Sequence, residues 1–123
     1  MRLPDFKVLS FDCYGTLIDW ETGIWQALQP LIVVNGIVLK REKALADFAI
    51  VEPEQEHETP NLLYREILTR VHAKLAEHWE AKTNDQLDQA FGASIGNWPA
   101  FPDTPEALAY LKGHFKLVIL SNV

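Results

Sequence analysis

Two short apolar segments, each followed directly by polar residues, constrain the fold of this 123-residue chain most strongly. The first runs from Lys7 to Phe11 and leads into Asp12, and the second runs from Leu117 to Leu120 and leads into Ser121 and Asn122. Continuous apolar runs of this length are typical of strands in a parallel sheet, which is usually buried on both faces. A predicted helix precedes the second run, as a parallel pair requires. The sequence therefore predicts an α/β fold.

The segment between the two strands is predicted to be helical. Apolar residues recur at helical spacing from Gly23 and again from Lys40 to Val51. Thr59, followed by Pro60, has the pattern of a helix start, with an apolar stripe behind it. A last helix is predicted to begin at Thr104, just before the second strand.

This helical segment is too long for an ordinary crossover, so it predicts an inserted domain. We expect a partial Rossmann-like core, containing the first strands of a parallel sheet, at residues 1–20 and 99–123. Residues 21–98 are then expected to form a helical cap over the strand ends.

Charge and apolar content exclude several classes of partner. The chain carries 17 acidic and 11 basic residues, a net charge of -6, which argues against nucleic acid. No apolar stretch reaches the roughly 20 residues of a membrane span, and the first residues lack a signal-peptide core. The single cysteine, Cys13, fits a reducing compartment. We expect a soluble cytoplasmic protein without nucleic acid or membrane partners, and the sequence leaves a homodimer open.

Asp12 occupies the position where ligands usually bind in open parallel sheets, beyond the carboxyl end of a strand. Gly15 and Thr16 follow it, and a glycine-containing turn with a hydroxyl can hold an anion against the carboxylate. A small anionic substrate is therefore favoured. The alternative is that Asp12 and Thr16 only satisfy backbone groups of a turn. Ser121 and Asn122 weigh against that alternative, because parallel neighbouring strands place them at the same edge.

These segments, VLSFDCYGTLID and LVILSNV, resemble two motifs of the haloacid dehalogenase (HAD) superfamily. The first motif of that superfamily is a strand followed by Asp-x-x-Gly-Thr, and the second is a strand ending in Ser or Thr. About a hundred helical residues separate the motifs here, as in members with a cap inserted after the first. Most phosphatases of the superfamily carry a second Asp two residues after the nucleophile, whereas 2-haloacid dehalogenases carry a Tyr, and this chain has Tyr14.

The tyrosine has a chemical meaning. An alkoxide is a poor leaving group that benefits from a general acid, whereas a halide leaves without a proton. The resemblance therefore implies an (S)-2-haloacid dehalogenase-like reaction, in which a 2-haloalkanoate and water give a 2-hydroxyalkanoate and halide through an aspartyl ester. No cofactor is expected for this reaction. The competing hypothesis, a phosphatase, would need Mg²⁺.

The resemblance also implies roles for individual residues. Asp12 matches the nucleophile, and Thr16 matches the threonine beside it. Tyr14 would line the pocket through its backbone, while Ser121 and Asn122 would hold the substrate carboxylate and the departing halide.

The dehalogenases receive the halide on an arginine from the early cap. Arg41 and Arg65 are the candidates here, although neither has the sequence surroundings associated with that arginine. The alternative for Arg41 is a solvated position on a helix. For Arg65 the sequence supports halide binding and a solvated helix position equally. We select Arg65 as the substrate-binding candidate.

The third and fourth motifs of the superfamily, a lysine and a polar cluster, follow the second motif, and the sequence ends at Val123. We therefore expect this chain alone to be inactive and marginally stable, with an apolar strand edge uncovered. A third hypothesis follows, in which the chain is a non-catalytic fragment that acts through helical contacts or dimerisation.

Overall fold

The computed structural model describes residues 1–121 and divides the chain into two compact units. The strand unit comprises Met1–Trp20 and Trp98–Val123, and the helical unit comprises Glu21–Asn97. The assignment of the helical unit as a cap stays a prediction.

The strand unit contains a two-stranded parallel sheet. Strand β1 (Val8–Phe11) pairs with β2 (Lys116–Ile119), in a register that places Val8 opposite Lys116 and Phe11 opposite Ile119. The predicted parallel pair is confirmed.

Five α-helices lie within residues 1–121. They are α1 (Trp20–Asn35), α2 (Arg41–Glu58), α3 (Tyr64–His78), α4 (Asp85–Ala93) and α5 (Thr104–Lys112). Short 3-10 helices occur at Leu3–Asp5 and Ser94–Asn97. The order of strand, long helical segment, helix and strand agrees with the predicted α/β class.

The strands are less buried than the sequence predicts. Val8, Val118 and Ile119 are 49%, 42% and 57% exposed, so the expectation of a sheet buried on both faces is wrong for these residues. The physical reason is size, because a sheet of two strands with a nine-residue helix beside it has too little cover for both faces.

The predicted helix start at Thr59 is also wrong. Thr59 instead ends α2, because its N–H and its hydroxyl both donate to the Gln55 carbonyl, at 3.0 and 2.9 Å. Helix α3 begins at Tyr64, and its first turn is capped by Glu66, whose carboxylate accepts the Leu63 N–H at 3.0 Å. The proline-containing segment between them is a connection rather than a first helical turn.

Helices α3 and α4 pack closely at a glycine. A Cβ on Gly92 would lie 2.2 Å from the Thr69 hydroxyl oxygen and 2.4 Å from the Arg65 carbonyl oxygen, so no larger residue fits without displacement. Apolar residues of α3 that face inward are fully buried, among them Leu68, Val71 and Leu75. The predicted apolar stripe of this helix is therefore core over most of its length.

A buried polar network joins the same two helices. His72 on α3 is 1% exposed, and its Nδ1 lies 2.6 Å from Oδ1 of Asp88 on α4. The Thr83 hydroxyl donates to the same carboxylate oxygen at 2.6 Å, and the His72 ring stacks on Phe91 with centroids 4.8 Å apart. One carboxylate thus serves two partners in the interior of the helical unit.

A second buried carboxylate joins α2 to the end of α3. Asp47 accepts hydrogen bonds from the Lys43 ammonium and from the Trp79 indole N–H, the latter at 2.8 Å. Burial acts to raise the pKa of Asp47, but these two bonds and the nearby charges of Lys43 and His78 outweigh it and lower the pKa. The carboxylate is therefore held ionised.

Among the described residues, none of the helices has both the length and the apolar character that crossing a bilayer demands.

Candidate active site

Asp12 is the first residue after β1, and its carboxylate is exposed to solvent. The Thr16 hydroxyl donates a hydrogen bond to Asp12 Oδ2 at 3.1 Å. The two residues that the sequence predicts as nucleophile and neighbour are thus in contact. Among residues 1–121, the other oxygen of Asp12 has no hydrogen-bond partner. A carboxylate with an unbonded oxygen is suited to nucleophilic attack.

The loop that presents Thr16 is closed by its own backbone. The Cys13 carbonyl accepts the N–H groups of Thr16, Leu17 and Ile18, at 3.2, 2.7 and 3.1 Å, and the Gly15 N–H donates to the Ile18 carbonyl at 2.8 Å. Gly15 has φ +86°, a conformation that side-chain-bearing residues rarely adopt, so glycine is required there by the turn itself.

This arrangement corrects one expectation about the loop. The N–H groups from Gly15 to Ile18 are occupied by internal carbonyls, so they are not free to cradle an anion. In residues 1–121 the N–H groups of Cys13 and Tyr14 have no such acceptor. The anion-binding capacity of the loop is therefore confined to the two residues next to Asp12.

Tyr14 is half-buried in the strand unit. Its ring meets Trp98 edge-on, with centroids 5.5 Å apart and an angle of 78° between the planes. Burial, and secondarily the Cys13 thiol, raise the pKa of Tyr14 above its ordinary value of 10.0. The phenol is therefore neutral at physiological pH and anchors the loop through apolar contact.

A segment from the far end of the strand unit holds the loop in place. The Asp19 N–H donates to the Pro99 carbonyl at 2.8 Å, and the Leu17 carbonyl accepts both the Phe101 N–H, at 3.1 Å, and the buried Thr104 hydroxyl, at 2.9 Å. The sequence predicted the start of a helix at Thr104, which the structure has, but not this hydrogen bond of the Thr104 hydroxyl. Its partner is 87 residues away, so no local pattern reveals the contact.

The second strand end lies at the same edge of the sheet. The Leu120 N–H donates to the Phe11 carbonyl at 2.8 Å, so pairing continues up to the residues immediately before Asp12 and Ser121. Ser121 is exposed there. Asn122, the other predicted residue of this strand end, lies outside the described residues.

The two candidate arginines lie in the helical unit and differ in their surroundings. Arg41 is half-buried, and its Nη2 donates to the Thr22 hydroxyl at 3.1 Å, which joins α2 to α1. Arg65 is exposed on the first turn of α3. Arg41 therefore has a structural partner, whereas the Arg65 guanidinium has no hydrogen bond or ion pair to any of residues 1–121.

The residues of the loop do not form a magnesium site by themselves. Mg²⁺ is held by several hard oxygen ligands, and within residues 1–121 no group of three or more Asp, Glu, His or Cys side chains is close enough to share an ion. At the position two residues after Asp12 the chain has the phenol of Tyr14 rather than a carboxylate. Within residues 1–121 the loop therefore supplies only part of a magnesium ligand set.

The sequence model of the haloacid dehalogenase-like hydrolases matches residues 6–123. The chain belongs to that family. Membership agrees with the resemblance seen in the two motifs. No curated protein sequence matches the chain closely enough to count as a relative.

Superposition on solved structures also shows that the chain has the HAD fold. An L-2-haloacid dehalogenase superposes with a TM-score of 0.74 at 23% identity, covering 95% of this chain and 52% of its own. A dehalogenase superposes with a TM-score of 0.70 at 17% identity, covering 95% and 51%. The HAD-hydrolase YfnB from Bacillus subtilis, solved bound to magnesium, gives 0.67 at 17%, covering 94% and 52%. The chain thus spans about half the length of these HAD structures.

Proposed function

We propose that this HAD-type hydrolase displaces halide from a 2-haloalkanoate with Asp12 as nucleophile. The free oxygen of Asp12 attacks the halogen-bearing carbon from the side opposite the halide, which leaves with its electron pair. Water then attacks the carbonyl carbon of the resulting ester, and the 2-hydroxyalkanoate departs with the original aspartate oxygen. Configuration at carbon is inverted, and no proton is delivered to the leaving group.

The exposed Asp12 carboxylate, bonded on one side by Thr16, is the observation that carries this proposal. In the part of the chain that the structure describes, its second oxygen has no hydrogen-bond partner. Within residues 1–121 the N–H groups of Cys13 and Tyr14, which follow Asp12 directly, have no backbone acceptor, and we propose that they stabilise charge that develops near this carboxylate. Tyr14 supports displacement of halide over alkoxide, because a half-buried phenol whose pKa lies above its ordinary value is a poor acid for a leaving group.

The remaining roles are proposed by position. Ser121 lies at the sheet edge of Asp12 and is assigned to the substrate carboxylate, together with Asn122. Arg65 is proposed as the arginine that receives the halide, and the helical unit as the cap that excludes water from the reaction. The substrate is a small 2-haloacid, and the protein is proposed to work in the cytoplasm.

Measuring chloride release and phosphate release by the full-length protein that carries these residues distinguishes a dehalogenase from a phosphatase. We expect chloride release from (S)-2-chloropropionate, little release from the (R)-enantiomer, and an unchanged rate when magnesium is chelated. An aryl phosphate serves as the competing substrate. Magnesium-dependent phosphate release without chloride release would contradict the proposal and establish the phosphatase instead.

A further inference from the structure

A second concave surface lies entirely within the helical unit. It is a pocket of about 550 Å³ formed by the start of α3, the connection before it and α4. Pockets of this size accommodate small organic molecules. It contains neither Asp12 nor any other residue assigned to the strand-end loop.

Two arginines give this pocket its chemical character. Arg65 and Arg70 both line it, and within residues 1–121 neither guanidinium has a hydrogen bond or an ion pair. The carboxylate of Glu66 also lines the pocket, but one of its oxygens is occupied in capping the Leu63 N–H at 3.0 Å. The pocket is therefore net positive in a protein whose net charge is -6.

The backbone at Arg65 is packed against α4. Its carbonyl accepts the Thr69 hydroxyl at 2.8 Å and lies directly against Gly92 of α4, where a Cβ would come within 2.4 Å. Helices α3 and α4 are therefore in close contact at this crossing, and we expect that contact to hold the Arg65 backbone in place before a ligand binds. A preformed site loses less entropy when it binds a ligand.

The other pocket walls supply complementary contacts. Gln89 on α4 brings an amide that can donate hydrogen bonds. Leu62 and Leu63 form an apolar wall, and Leu63 is 67% exposed although it is aliphatic. The pocket thus combines planar cationic donors with an apolar surface, which suits an organic anion better than a bare ion.

We propose that this pocket binds a small organic oxyanion, a carboxylate or phosphate group on a short carbon chain, through Arg65 and Arg70. A guanidinium binds either group with two parallel hydrogen bonds. Arg65 is also the residue proposed above to receive the halide, so at Arg65 this inference rests on the proposed function. Arg70 has no role in the proposed hydrolysis, and binding at the pocket can be measured without any turnover at Asp12.

The test is a titration of the full-length protein that carries these residues with succinate, with inorganic phosphate and with sodium bromide at constant ionic strength. Calorimetry gives the affinity, and NMR shifts of the Gln89 side-chain amide report the location. Binding of succinate or phosphate supports the proposal, and the tighter of the two identifies the preferred oxyanion. We expect Arg70→Gln to weaken it about tenfold and Arg70→Lys to weaken it less.

Arg2→Gln is the matched control, because it removes the same charge from the strand unit and leaves the pocket intact. It should bind as the wild type does. Circular dichroism checks that each variant is folded. The proposal is overturned if neither oxyanion binds at millimolar concentration, if bromide binds as tightly as the oxyanions, or if Arg70→Gln and Arg2→Gln change the affinity equally.

Discussion

Replacing Asp12 with asparagine is expected to lower dehalogenation by the full-length protein on the order of 10⁴-fold or more. The amide cannot attack carbon as a carboxylate does, so the ester intermediate does not form. The fold should be unaffected, because Asp12 is exposed and its described hydrogen bond is the one from Thr16, which the asparagine carbonyl can still accept. The rate of halide release under saturating substrate tests the loss of activity, and thermal unfolding of the same sample tests whether the fold is unchanged.

Asp5→Asn is the matched control for this variant. Asp5 is also an exposed aspartate of the strand unit, and its carboxylate accepts the Arg2 N–H at 2.7 Å. The substitution removes the same charge and should leave the rate nearly unchanged. Comparable activity in Asp12→Asn and Asp5→Asn would rule out Asp12 as the nucleophile.

Replacing Asp88 with alanine is expected to destabilise the helical unit by about 3 kcal/mol. The substitution leaves His72, buried at 1% exposure, without the carboxylate 2.6 Å from its ring nitrogen. It also removes the acceptor of the Thr83 hydroxyl. A buried polar group that is left without a partner destabilises the fold by more than its hydrogen bond had stabilised it. Urea unfolding monitored by circular dichroism measures the loss.

Asp85→Ala serves as the control, because Asp85 lies in the first turn of the same helix and is exposed. Its loss should cost only about 0.3–1 kcal/mol, the usual effect of an acidic residue near a helix start. Equal effects of the two substitutions would show that the buried network contributes nothing beyond the general effect of charge on α4.

The strand positions and the loop residues could be predicted because their signals are local. An apolar run followed by Asp12, with Gly15 and Thr16 at short spacing, describes a strand and a tight turn in consecutive residues. The parallel pairing of β1 and β2 was predicted from the helix that precedes the second strand, and the structure confirms it.

Contacts between distant residues were not predictable in this way. Thr104 has the sequence surroundings of a helix cap, yet its hydroxyl donates to the Leu17 carbonyl. Thr59 precedes a proline, yet a hydrogen bond to Gln55 makes it the end of the preceding helix. In both cases a tertiary or competing local bond overrides the pattern, and a single sequence carries no signal of which bond prevails.

Oxygen-18 labelling tests the central claim, nucleophilic attack by Asp12, most directly. The full-length protein, in excess over (S)-2-chloropropionate, is allowed a single turnover in water enriched in oxygen-18. Mass spectrometry of the tryptic peptide spanning residues 8–40 then locates the label. Our account predicts that the heavy oxygen enters the Asp12 carboxylate, because water attacks the ester carbonyl, and that the product hydroxyl carries ordinary oxygen. Heavy oxygen in the product hydroxyl with an unlabelled Asp12 would show direct attack by water and contradict the account.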